Sequence, residues 1–198
     1  MKIASRFIYV VLVALLLVSV AQADLLTTFT TSISASDPTQ QGRLSRNGIP
    51  TDWSGPVFPG VINPAVTYNY HTYMVNSGVT PFIYITIDSV PGNTFASAYF
   101  PSYDPTNKAL NYIGDAGRSG NFFGTDPVSF EVFVPKFSNF LVLVNTSSNV
   151  GIGQPFTITV QGFIDDQFTS TPEPSSLLLL GSGALGIAGL IRRKINLG

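Results

Sequence analysis

The chain has no cysteine, a single histidine and few charged residues, 11% of 198. Without thiols there are no disulfides and no thiolate metal sites, so packing alone must hold the fold. His71 lies between Tyr70 and Thr72 in a strand-like run, and no Gly-x-Ser-x-Gly elbow accompanies it. A Ser/His/Asp hydrolase has little to be built from, and an ordinary exposed strand histidine is the simpler reading. Cations are scarce once the two ends are set aside. Arg43, Arg46, Lys108, Arg118 and Lys136 then face eleven acidic groups, leaving Asp24 to Glu173 near −6. Such a surface repels phosphate backbones, which argues against a nucleic-acid partner. Helical periodicity is missing from Asp24 to Gln167.

The ends supply what the middle lacks. Lys2 and Arg6 precede an apolar run from Phe7 to Val20 and the small-x-small site Ala21-Gln22-Ala23. This is the pattern of a secretory signal peptide over 1–23, which implies the Sec translocon and signal peptidase as partners and Asp24 as the mature N-terminus. At the other end Pro172-Glu173-Pro174 leads into an uncharged run from about Ser175 to Ile191, then Arg192-Arg193-Lys194. A helix of that run reaches roughly 25 Å against a hydrocarbon core of ~30 Å, a marginal transmembrane span. The basic triplet is expected to stay cytoplasmic. A Pro-Glu-Pro motif, an apolar helix and a basic end in this order resemble the PEP-CTERM sorting signal. That resemblance implies recognition and cutting by an exosortase, a passing inner-membrane intermediate, and delivery to the outer envelope, cell surface or extracellular matrix. No cofactor is expected.

Between the ends, short β-favouring runs alternate with turn residues. Ile83, Ile85 and Ile87 share one face with Tyr84 and Thr86 opposite; Val128, Phe130 and Val132 alternate with Ser129 and Glu131; Phe156, Ile158 and Val160 alternate with Thr157 and Thr159. Phe140 to Val144 is apolar on both faces and is expected at the centre of a sheet. The pattern predicts an all-β fold, an antiparallel jelly-roll-like β-sandwich of about seven to nine strands, flanked by the signal helix and the transmembrane helix. A first strand and an irregular Pro/Gly-rich arm, Pro38 to Pro64, are expected within 24–66, the main strands within 67–166, a linker over 167–174 and the sorting helix with its basic tail over 175–198.

The order Tyr73-Met-Val75, Ile83 to Asp88, Asp104-Pro105, Asn111-Tyr-Ile-Gly-Asp115, Phe140 to Val144 and Phe156 to Val160 is similar to the bacterial pre-peptidase C-terminal-like domains. The resemblance implies a non-catalytic β-sandwich module. Members often carry cysteines near these segments; this chain has none, so no bridge is implied.

Other constellations are weak. Asp165-Asp166 is the one adjacent carboxylate pair, at the mouth of the linker. Asp104, Asn107, Asn111 and Asp115 are hard oxygen donors of the kind calcium takes, but the spacing is not an EF-hand, and Asp and Asn also favour turns. Tyr68, Tyr70, Tyr73, Tyr84, Tyr99, Tyr103, Tyr112 and Trp53 suit either a sugar-stacking surface or a core, and the balance favours the core. The PEP-CTERM resemblance implies a non-enzymatic surface or matrix protein, structural or adhesive, in an exopolysaccharide or biofilm setting. A carbohydrate-binding module is the alternative, a secreted hydrolase the more distant one.

Overall fold

The computed structural model describes residues 23–89, 93–120 and 127–164. The signal segment through Gln22, with Ala21, lies outside the described residues, as do Asp165-Asp166, the linker, Pro172-Glu173-Pro174 and the expected transmembrane helix with Arg192, Arg193 and Lys194.

The described residues form nine strands: β1 Asp24–Ser32, β2 Thr39–Leu44, β3 Val61–Asn76, β4 Phe82–Ser89, β5 Thr94–Tyr99, β6 Tyr112–Asp115, β7 Val128–Phe133, β8 Asn139–Thr146 and β9 Pro155–Phe163. One sheet runs β1-β9-β4-β7 and the other β2-β3-β8-β5-β6, with neighbours antiparallel throughout. Setting β2 aside, the first strand lies beside the last and the next beside the last but one. That nesting is a jelly roll, with β2 added at one edge.

The alternation read from sequence places the core. Ile83, Ile85 and Ile87 of β4, Phe130 and Val132 of β7, and Ile158 and Val160 of β9 point inward against Phe140, Val142 and Val144 of β8 and Ala96 and Ala98 of β5. Burying each large side chain contributes about 1.5–3 kcal/mol, which lets a chain without disulfides hold together. β8 is central in its sheet, as its apolar character on both faces requires. Its outward Leu143 is buried too, because the other face of that sheet is also covered. By strand parity Phe95, Ser97 and Tyr99 share that outer face. The segment 100–111 lies over it, bringing Tyr103 to 4.6 Å from the Tyr99 ring.

The stretch from Pro38 to Pro64 departs from expectation. It is not irregular throughout: it contains β2 and the first residues of β3. Gly42, with φ of 68°, bulges the ladder between Gln41 and Arg43 and breaks the period-two pattern that would reveal a strand. Only the part between β2 and β3 lacks regular structure, and it ties the two sheets together. The Gly48 N–H donates to the Gly117 carbonyl and the Thr51 N–H to the Asp115 carbonyl at the β6 side, each at 2.9 Å. The Thr51 carbonyl accepts from the Glu131 N–H of β7 at 2.8 Å. The other strand missed in sequence, β6, is only four residues long and leaves too few positions to show alternation.

Candidate functional site

Two surfaces carry polar chemistry. The first is a cleft of about 210 Å³ lined by Pro38, Tyr70, His71, Thr72, Tyr103 and Leu141. β3 supplies three adjacent members, and the segment covering the outer sheet face supplies Tyr103. Its ring meets Tyr70 edge-on at 5.3 Å, and its hydroxyl donates to Gln40 Oε1. Burial pushes the Tyr103 and Tyr70 hydroxyls up from their ordinary range, so both stay protonated donors. His71 Nδ1 lies 3.3 Å from Asp37 Oδ1, and its ring tilts over Tyr73 at 4.8 Å. Asp37 is held in turn by the Ser34 N–H at 2.8 Å. The Asp37 carboxylate thereby orients the imidazole, and among the described residues no hydroxyl is hydrogen-bonded to this pair.

The second surface is the outer face of the four-stranded sheet. Register aligns Thr28, Thr159, Thr86 and Ser129 in one row across all four strands, with Thr30 and Thr157 beside it. Neighbouring hydroxyls bond laterally, Thr86 to Ser129 at 2.9 Å and Thr30 to Thr157 at 3.1 Å. Tyr84 stands on this face between Glu131 and Gln161, half-buried. Such a face offers donors and acceptors in a regular array to a hydrated polymer.

The four oxygen donors weighed for calcium each have a local structural job. Asp104 Oδ1 accepts from the N–H and the hydroxyl of Thr106, which hold its carboxyl below the usual carboxylate range. The Asn107 N–H closes the same turn onto the Asp104 carbonyl. Asn111, at φ of 63°, donates from its side chain to Ser102 and accepts the Phe100 N–H on its carbonyl, closing the 100–111 segment. Asp115 is 1% exposed; it accepts the Tyr112 hydroxyl at 2.5 Å and the Gly117 N–H at 2.6 Å. Among the described residues no three His, Asp or Glu side chains gather as metal ligands.

Burial raises the Asp115 carboxyl above its ordinary value of 3.8 despite those two bonds. A raised folded-state value means that the native protein holds this proton more tightly than the unfolded chain. Asp115 therefore makes stability fall as pH rises from the unfolded value through the folded one. Asp115→Asn, which keeps an acceptor for Gly117, is expected to remove that component. Denaturant midpoints of wild type and variant across the acid range should converge at low pH, with the variant gaining as pH rises; parallel curves would contradict the assignment.

The aromatics divide. Tyr68 and Tyr99 are buried. Trp53 packs edge-on against Phe82 at 5.4 Å and lies 6.0 Å from Phe163, while its indole N–H donates to the Ile83 carbonyl at 3.3 Å. It belongs to the closure of the sandwich. The half-buried pair lining the cleft, Tyr70 and Tyr103, depends on contact between distant segments and leaves no local signal in sequence.

No curated protein matches the chain. At its end, residues 170–194 match the PEP-CTERM protein-sorting motif, which marks the chain as an exported substrate of an exosortase, processed at the membrane.

Proposed function

We propose that the exported domain is a non-enzymatic surface or extracellular-matrix protein, structural or adhesive in an exopolysaccharide setting. The observation that carries this reading is the hydroxyl array of Thr28, Thr159, Thr86 and Ser129, a contact face without a charge in its row, on a protein addressed for export. The ionisable groups nearest to chemistry are engaged elsewhere: Asp115 is buried under Tyr112, and the Lys108 ammonium caps the Gln41 and Pro105 carbonyls.

A carbohydrate-binding module is the second reading, favoured by the Tyr70/Tyr103 cleft. Tyrosine edges and faces stack on sugar rings, while Thr72 supplies a hydroxyl on the same face of β3. Sedimentation of the processed protein with the polysaccharide of its own producing cells separates the two. Under the adhesive reading wild type co-sediments, and Tyr70→Ala and Tyr103→Ala do so equally. A drop of about tenfold, ~1.4 kcal/mol, in either variant transfers the function to the cleft. Turnover of a peptide or glycoside that disappears with His71→Ala would replace both readings with a hydrolase.

A further inference from the structure

Four strands bound the sheets, β1 and β7 in one and β2 and β6 in the other. An open edge presents unpaired N–H and C=O groups and recruits further strands, so proteins ordinarily blunt it. Three of these edges are blunted. On β7 the Glu131 N–H is taken by the Thr51 carbonyl, and on β6 the Asp115 carbonyl is taken by the Thr51 N–H. β2 is broken by its bulge, carries the buried cation Arg43, and has the Lys108 ammonium 2.7 Å from its Gln41 carbonyl.

β1 is different. It is nine residues long and pairs with β9; its own register shift lies near its start, between Leu25 and Thr27, and Thr27 to Ser32 run in unbroken register. From Leu25 to Ser36 it and the residues after it contain no charge, proline or glycine. Among the described residues no other strand reaches its outer side. From this we infer that β1 pairs antiparallel with β1 of a second copy, across a two-fold axis, joining two four-stranded sheets into one.

Three features select a second copy as the occupant. An antiparallel edge is complementary to itself by symmetry, which no other class of partner guarantees. The exported part carries a charge near −6, so copies repel wherever acidic surfaces meet, and this uncharged strand is where repulsion is least. An axis at Thr28 or Phe29 sets Asp24 at the far end of the second copy's strand, among its uncharged residues 31–34, and never opposite another carboxylate. Phe29, stacked 4.9 Å from Tyr73, fixes which side of β1 faces the core, so both copies present the same inner and outer faces. Because the contact uses the one edge left open among the described residues, it closes at a dimer rather than growing into a fibre.

The absence of cysteine makes a single introduced thiol a clean probe. The full-length chain with Thr28→Cys, exported from cells and treated with a short bis-maleimide, is expected to give a covalent dimer as the main product. Met74→Cys, 68% exposed on the outer face of the other sheet, is expected to give about tenfold less, because chance encounters alone link it. Adding Thr30→Lys to Thr28→Cys brings like charges together across the axis and should cut the dimer several-fold. Equal yields from Thr28→Cys and Met74→Cys overturn the inference. So does an unchanged yield with Thr30→Lys in protein whose circular dichroism and thermal unfolding match the parent.

Discussion

Replacing Pro172, Glu173 and Pro174 by alanine is expected to abolish processing of the tail and leave the protein in the membrane fraction at the size of the unprocessed chain. The sorting motif spans residues 170–194, and its Pro-Glu-Pro element lies outside the globular strands, which end with β9 at Phe163. Proline has no backbone N–H and biases the residue before it away from helix, so Pro172-Glu173-Pro174 is a sequence that resists helix formation. Alanine restores helix propensity across the junction and removes the carboxylate at once. The measurement is a fractionation with an antibody to the globular domain, comparing wild type and variant in cells that contain and lack the exosortase. Wild type should shift in size only in the first, and the variant in neither. A processed variant would show that recognition rests on the apolar run and Arg192-Arg193-Lys194 alone.

The second large effect concerns the closure of the sandwich. Gly117 has φ of 66°, and a Cβ there would meet the backbone carbon of Ile49 at 2.4 Å and the nitrogen of Pro50 at 2.6 Å. Gly117→Ala therefore strains its own backbone and also pushes away the segment that reaches Asp115 and Glu131. Left-handed strain costs about 1–2 kcal/mol, and displacing the covering segment exposes buried hydrogen bonds, for an expected loss of about 3–5 kcal/mol. Gly78 provides the control. Its φ is 57°, but a Cβ there would meet open space, so Gly78→Ala should cost only the strain, about 1 kcal/mol. Urea midpoints of both variants test the difference. Equal losses would mean that the close approach to Ile49 contributes nothing to stability.

These two glycines show how unevenly the fold could be read from sequence. Each is a single glycine with one apolar and one polar neighbour, and each signals a turn. Only the packing of a segment from far along the chain makes one of them indispensable. In the Asn111-Tyr-Ile-Gly-Asp115 run, local geometry gives three residues distinct jobs. Asn111 adopts the left-handed conformation, Gly114 leaves room for Val132 and Thr51, and Asp115 ties the turn under Tyr112. The sequence offered Asn111 and Asp115 as turn formers, but the contact partners of all three come from the fold. Among the residues considered as oxygen ligands, Asp104, Asn111 and Asp115 use their side chains in hydrogen bonds that shape the chain.

What the sequence determined by itself was whatever repeats locally. Alternation at every second residue gave β4, β7 and β9 their inward faces, double-sided apolarity gave β8 its central place, and terminal hydropathy with a Pro-Glu-Pro motif gave the export address. Tertiary structure alone decided which sheet edges are covered, why Asp115 is buried, and that Tyr70 meets Tyr103 beside His71. Each of these depends on contacts between residues tens of positions apart. No periodicity records such contacts, because their partners are chosen by the closure of the whole sandwich rather than by the next few residues.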